Sequence, residues 1–410
     1  MAERSSKASL LIVFLIVFID LIGFGMVIPL LPIYADQFTV DEHGLVIGLL
    51  MAAFSAMQFL FAPLWGRVSD RIGRRPVLLI GLAGSVVFYG LFAVATVAQS
   101  LLLLFISRIG AGIAGATVST AHAYIADVTS LQDRAKGMAL IGAAFGLGFT
   151  FGPLLAVVAL PDEAGVPGPG PGYAAAGLSA TALVLGWFLL PETLHTGKEQ
   201  KKRQWIDLGA LGSALSMPSV GLLLFTSFVC VYSFGNFETT LSMTMKNNLH
   251  FDFRDVCKVF AFIGFTLMLV QGGIVRRVSG RIPEGTMAAL GALLEIVGFT
   301  LLVYVTDHYS LATFLGALAV IVSGFACITP SLNALISRRS DPAQQGSVLG
   351  LAQSVSALAR ILGPMTGIPL FKLGASLPFW TASGLMAVGL VLVLVAARRG
   401  HDFAPAAGAH

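Results

Sequence analysis

Apolar residues dominate this chain in long, nearly unbroken runs, each ended by a short group of charged, glycine or proline residues. A bilayer core of about 30 Å requires roughly 20 apolar residues per helix. Twelve runs meet that length, near residues 9–33, 44–65, 76–98, 101–126, 137–159, 173–191, 217–243, 257–275, 285–306, 310–336, 346–370 and 376–397. The pattern predicts an all-α membrane protein of twelve transmembrane helices. The longest polar interval, Pro191 to about Ser216, separates six runs from six. The expected organisation is therefore an N-terminal six-helix bundle over 1–192, a linker over 193–216 and a C-terminal six-helix bundle over 217–410.

Composition agrees. Of 410 residues 56% are hydrophobic and 11% charged, with a mean hydropathy of +0.86. Soluble domains carry about 25% charged residues, so this chain has too few to cover a water-facing surface. The first run is too long for a signal-peptide core and is read as a retained span.

The net charge of +4 comes from clustered basic residues, and their placement does not ask for nucleic acid. With both termini in the cytoplasm, nineteen Lys and Arg residues fall in cytoplasmic segments and four, Lys246, Arg254, Lys258 and Lys372, fall outside. That asymmetry is the expected orientation signal, and a missed span would scramble it. The run Lys198 to Arg203 is read as a solvated linker that enforces this topology, or as a head-group contact. The location expected is a plasma (inner) membrane, with the chain working as a monomer. Cys230, Cys257 and Cys327 have no metal-like spacing, and no metal is expected.

The two halves resemble each other. An offset of 207 aligns Gly66 with Gly273, Gly73 with Gly280 and Arg74 with Arg281, and an offset of 211 aligns Gly152-Pro153 with Gly363-Pro364. Two similar halves that rock about a midplane site suit alternating access.

Several motifs now carry a family resemblance. Gly66-Arg-Val-Ser-Asp70-Arg71-Ile-Gly73-Arg74-Arg75-Pro-Val-Leu78 resembles the loop signature of the major facilitator superfamily. Leu104-Phe-Ile-Ser-Arg108-Ile-Gly-Ala-Gly112 resembles its span-four signature, with Ala111 in place of the usual Gln. Gly148-Phe-Thr-Phe-Gly152-Pro153 resembles its span-five antiporter signature, with Ala156 and Val157 in place of the trailing glycines. Asp20 to Pro32, Ala123 to Asp127 and Pro191-Glu192-Thr193 are similar to segments of drug:proton antiporters, especially tetracycline exporters. Asn236 to Leu241 resembles tetracycline-transporter-like proteins of the same superfamily. Phe88 stands where tetracycline exporters carry an acid in span three, and Gly264 where they carry a histidine in span eight. These departures argue against tetracycline itself as the substrate.

Ionisable residues within spans are costly, roughly 2.5–3.5 kcal/mol on insertion scales, and mark candidate sites. Five are expected to carry proton coupling or substrate binding: Asp20, Arg108, Glu238, Glu295 and Arg360. Asp20 lies about 16 Å into span one at 1.5 Å per residue, where a carboxylate can take up and release a proton. Glu295 falls where tetracycline exporters carry an acid in span nine. The resemblance implies a cavity-facing, proton-transfer role for Arg108. Arg360 is read either as a contact for an anionic substrate or as half of an ion pair. His122 is read as a satisfied hydrogen-bonding residue or a proton relay. Gly66, Asp70, Arg71, Gly73, Arg74 and Asp127 are expected to form a cytoplasmic gate, with Asp127 pairing Arg71 or Arg74 and the two glycines allowing close approach and a tight turn. Pro29, Gly148, Gly152, Pro153, Gly363 and Pro364 are expected to bend or closely pack helices.

The chain has no P-loop and no cluster suited to catalysis, so it is expected not to be an enzyme and to need no cofactor, a proton gradient supplying the energy. The reading is a secondary active transporter, a proton-coupled exporter of a small lipophilic drug-like or metabolite substrate, whose partners are that substrate, protons and the bilayer. Uptake or facilitated diffusion is the alternative within transport, and a transport-inactive membrane sensor a more distant one.

Overall fold

A computed structural model describes residues 2–129, 134–161, 168–193, 218–278, 280–340 and 345–399. The loop run Lys198 to Arg203 lies outside them. The expected helices are present. Among the described residues twelve are long and apolar enough to cross a membrane: spans one to six at Ser9–Phe38, Leu45–Ile72, Arg74–Val97, Leu101–Val128, Leu140–Ala159 and Gly170–Leu189, and spans seven to twelve at Ser219–Asn247, Phe253–Val278, Glu284–Asp307, Leu311–Arg339, Val348–Leu373 and Leu377–Arg399. Several run three to seven residues beyond the apolar runs, because a helix continues past the hydrocarbon until a cap or glycine stops it.

Helices are the form this sequence must take, since lipid offers no partner for free backbone amides and carbonyls. In-span hydroxyls follow the same rule. Thr96, Thr150, Thr226 and Thr300 donate to the carbonyl four residues back, at 2.7–2.9 Å. Asp41 accepts from the Ile47 amide at 3.0 Å and Ser100 from that of Leu103 at 3.4 Å, closing the starts of spans two and four.

By contacts the chain forms two compact units, one of residues 1–205 with 241–268, the other of 206–240 with 269–410. The first has a core of Val13, Ile16, Leu78, Leu82, Ala121, Tyr124 and Ala144. In the second, Phe237 packs against Phe299 and Phe379 with ring centres 5.5 and 6.4 Å apart. Large apolar side chains also cover the outside: Val158, Phe188 and Leu373 are 81%, 78% and 79% exposed. On a chain with twelve membrane-length helices, such a surface is suited to contact with lipid.

The internal repeat has a structural signature. Gly73 and Gly280 both take positive φ, +109° and +84°, a conformation that L side chains rarely adopt. Gly152 packs on Gly25 of span one, and Gly363 packs on Gly235 of span seven.

Three local features differ from expectation. Span one breaks at residues 28–30, so Pro29 sits in a turn between the helices Ala2–Val27 and Leu31–Phe38. Span four breaks between Gly115 and Val118, where Thr117 Oγ1 turns back to the Ala114 carbonyl at 2.9 Å. Span eight is π-helical over Val270–Val275. Pro153 and Pro364, by contrast, lie inside continuous helices. Gly66, expected to allow close approach, faces open space: a Cβ there would meet no atom within 4 Å.

Candidate functional site

In the first unit, Asp20 is half-buried on span one. Ser179 Oγ of span six donates to Asp20 Oδ1 at 2.9 Å, and the Ser85 hydroxyl of span three also lies at the carboxylate. One helical turn beyond Ser85, Tyr89 is 3% exposed and near enough to both Asp20 and Arg108 to sense their charges. Arg108 of span four is 3% exposed, its guanidinium carbon 4.7 Å from the centre of the Phe54 ring. Cation–π attraction partly replaces the lost hydration of such a charge. Arg108 Nε has no hydrogen-bond partner among the described residues.

The structure therefore places Asp20 and Arg108 around Tyr89. Phe88, at the position where the resembled exporters carry an acid, lies against Gly110 instead. Polar groups on span three come from Ser85 and Tyr89. Sequence reasoning missed them and Ser179, because a serine in an apolar helix looks like any other small residue. Their spacing from Asp20 becomes a signal only once spans one, three and six are known to meet.

In the second unit, Glu238 is half-buried on span seven and Arg360 is exposed on span eleven. The two charges act on each other without closing to ion-pair distance. Beside them is a hydroxyl–amide chain: Tyr232 donates to Thr366 Oγ1 at 2.8 Å, and Thr366 Oγ1 donates to Asn236 Oδ1 at 3.4 Å. Glu295 is set apart from this group. It is fully buried on span nine against Gly324 of span ten, and neither carboxylate oxygen has a hydrogen-bond partner among the described residues. His122 is satisfied locally, its Nδ1 lying 3.1 Å from the Val118 carbonyl.

The charged turn between spans two and three forms a compact network centred on Arg74. Its Nε donates to Asp127 Oδ2 at 3.1 Å and its Nη1 to Ser69 Oγ at 2.7 Å, while Asp70 forms an ion pair with it. Of the two arginines considered for Asp127, Arg74 makes the contact; Arg71 is exposed. Glu192 completes the network. Its carboxylate accepts the Arg74 amide at 2.9 Å and the Arg75 amide at 3.2 Å, capping span three with a negative charge at the positive end of the helix. In the other unit, Arg338 donates to both oxygens of Glu284 at 2.9 Å.

Removing the Arg74 side chain leaves two carboxylates without their central cation. Both are about one-third exposed, 33% for Asp70 and 31% for Asp127, so water softens the loss. Arg74→Ala is expected to cost about 2 kcal/mol, read as a lower thermal midpoint in detergent. Arg74→Lys should recover only part, because a single ammonium cannot reproduce the fork of donors. An unchanged midpoint in both variants would show that the network serves topology alone.

Comparison with known proteins agrees with this architecture. The Major Facilitator Superfamily model matches residues 13–364. The class C tetracycline resistance protein of Escherichia coli is 32% identical, over 96% of this chain and 98% of that protein. The human major facilitator superfamily domain-containing protein 10 is 31% identical, over 93% of this chain and 91% of its own. The crystal structure of the human organic anion transporter MFSD10 (TETRAN) superposes with a TM-score of 0.71 at 30% identity, covering 95% of this chain and 99% of that one. With its twelve spans, its paired motifs and these relatives, the chain belongs to the major facilitator superfamily and is a membrane transporter rather than an enzyme.

Proposed function

We propose that this transporter exports a small organic molecule in exchange for protons, by alternating access between two six-helix halves. The observation that carries the coupling is Asp20. It is a carboxylate inside an apolar span, held by the Ser179 hydroxyl yet only half-buried, so it can be both positioned and reached by a proton. Arg108, stacked on Phe54, supplies the fixed positive charge whose field Tyr89 shares with Asp20.

The cargo is an organic anion in this reading. Arg360 is an exposed cation well inside span eleven of the second unit, with Glu238 close enough to modulate it but not to neutralise it by a direct ion pair. The relative named as an organic anion transporter supports the same class. The protein works as a monomer in a plasma (inner) membrane with both termini in the cytoplasm, as the basic residues favour.

The test is transport in liposomes that contain a pH-sensitive dye, with a pH gradient imposed and a panel of lipophilic anions, neutral compounds and cations added in turn. Anions are expected to drive proton movement. Arg360→Gln should raise the half-saturating anion concentration at least ~10-fold, in line with losing a charged contact of about 1.5–3 kcal/mol. Substrate flux without proton movement would overturn the antiport reading and leave facilitated diffusion. Proton movement driven only by cations would overturn the anion reading.

A further inference from the structure

A groove of about 730 Å³ runs along the outside of the first unit between spans three and six. That volume falls within the roughly 300–1,000 Å³ of ligand-sized clefts. Its walls are apolar: Ile80, Ala83, Val184, Trp187 and Phe188 among them, several widely exposed. Both helices are membrane spans, so what fills the groove comes from the bilayer. From Arg75 to Ala83 it extends about 12 Å at 1.5 Å per residue. Half of a hydrocarbon core of about 30 Å is similar, so the groove is as deep as the acyl layer of one leaflet.

One end of the groove is charged, and its charge is committed to the groove. Arg75 is the single ionisable residue in the lining. Its Nη2 donates to the Trp187 carbonyl, which fixes the guanidinium at the end of span six. The neighbouring groups are already engaged. Arg74 is held by Asp70, Asp127 and Ser69, and the Glu192 carboxylate accepts the amides at the start of span three. A guanidinium cation thus stands at the end of an apolar slot one leaflet deep.

We propose that this groove is a binding site for an anionic phospholipid, with an acyl chain along Ile80, Ala83 and Val184 and the phosphate on the Arg75 guanidinium. The head group supplies the charge complementary to Arg75, and the chain covers Trp187 and Phe188. The site is separate from Asp20 and Arg360 and does not depend on what the transporter carries.

The full chain would be reconstituted in phosphatidylcholine vesicles doped with phosphatidylglycerol or phosphatidylcholine brominated at the same acyl carbons, and the Trp187 fluorescence obtained by difference from Trp187→Phe. Brominated phosphatidylglycerol is expected to quench Trp187 at about fivefold lower mole fraction than brominated phosphatidylcholine, the preference one surface arginine confers. Arg75→Gln should bring the two lipids level. Ala83→Phe fills the slot while keeping Arg75, and should lower quenching by both lipids; it also serves if Arg75→Gln does not fold. Equal quenching by the two lipids in the parent protein would overturn the proposal, leaving a groove wetted by bulk lipid. Quenching of Trp187 by neither lipid would also overturn it and would point to a second copy of the chain covering the groove.

Discussion

Asp20→Asn is expected to reduce substrate-driven proton movement to the level of protein-free liposomes while leaving the fold intact. Asparagine has nearly the same shape as aspartate, and its Oδ1 can still accept the Ser179 hydroxyl that lies 2.9 Å from the carboxylate. What it lacks is the ability to bind and release a proton. In an apolar bundle the neutral amide is also no harder to bury than a carboxylate, so the thermal midpoint in detergent should stay close to that of the parent. The substitution therefore separates coupling from folding. Exchange of labelled for unlabelled substrate, which moves no net proton, should persist in the variant. If proton movement also persists, Asp20 is a structural acid and coupling passes through another group, Glu238 and Glu295 being the other carboxylates set well inside their spans rather than near an end.

Gly152→Val is expected to be among the most damaging substitutions for stability. A Cβ at Gly152 would stand 2.7 Å from the Gly25 carbonyl carbon, 2.8 Å from its Cα and 2.7 Å from the Ile22 carbonyl oxygen. All three are backbone atoms of span one, so no side chain can rotate away; the two helices must separate. Overpacking of this kind costs about 3 kcal/mol, and a β-branched side chain adds bulk on both sides. The equivalent change at Gly363 should be milder. There a Cβ would meet Gly235 and Asn236 at 3.0–3.3 Å, a gap that small shifts can relieve. Gly177→Ala is the control, since a Cβ at Gly177 meets nothing within 4 Å and alanine is the better helix former by about 1 kcal/mol. Thermal unfolding of the three variants in one detergent should rank them Gly177→Ala, Gly363→Val, Gly152→Val from most to least stable. A midpoint for Gly152→Val equal to the parent would mean that spans one and five are not held at this distance.

The twelve spans were legible in the chain because lipid imposes a simple rule: a helix of sufficient apolar length, with its backbone bonds closed internally, is the only solution for each run. The repeat was legible for a related reason. Gly73 and Gly280 are required by a positive φ that other residues tolerate poorly, so each duplicated turn keeps its letter. The charged candidates were visible one by one, since each is an exception to an apolar background.

What only the tertiary structure decided is which of these exceptions meet. Nothing in the spacing of Asp20, Ser85, Tyr89, Arg108 and Ser179 says that four helices bring them together, nor that Glu295 stays apart from Glu238 and Arg360 in its own unit. Arg74 and Arg71 are equivalent partners for Asp127 as letters, and the direction in which each leaves the end of its helix separates them. The break at Thr117 and the π-helical stretch at Val270–Val275 were likewise hidden, because no proline marks them. Hydrophobic length is a property of each segment alone, and the sequence carries it openly. Which faces of those segments touch depends on packing among all of them, and that is settled only when the chain is folded.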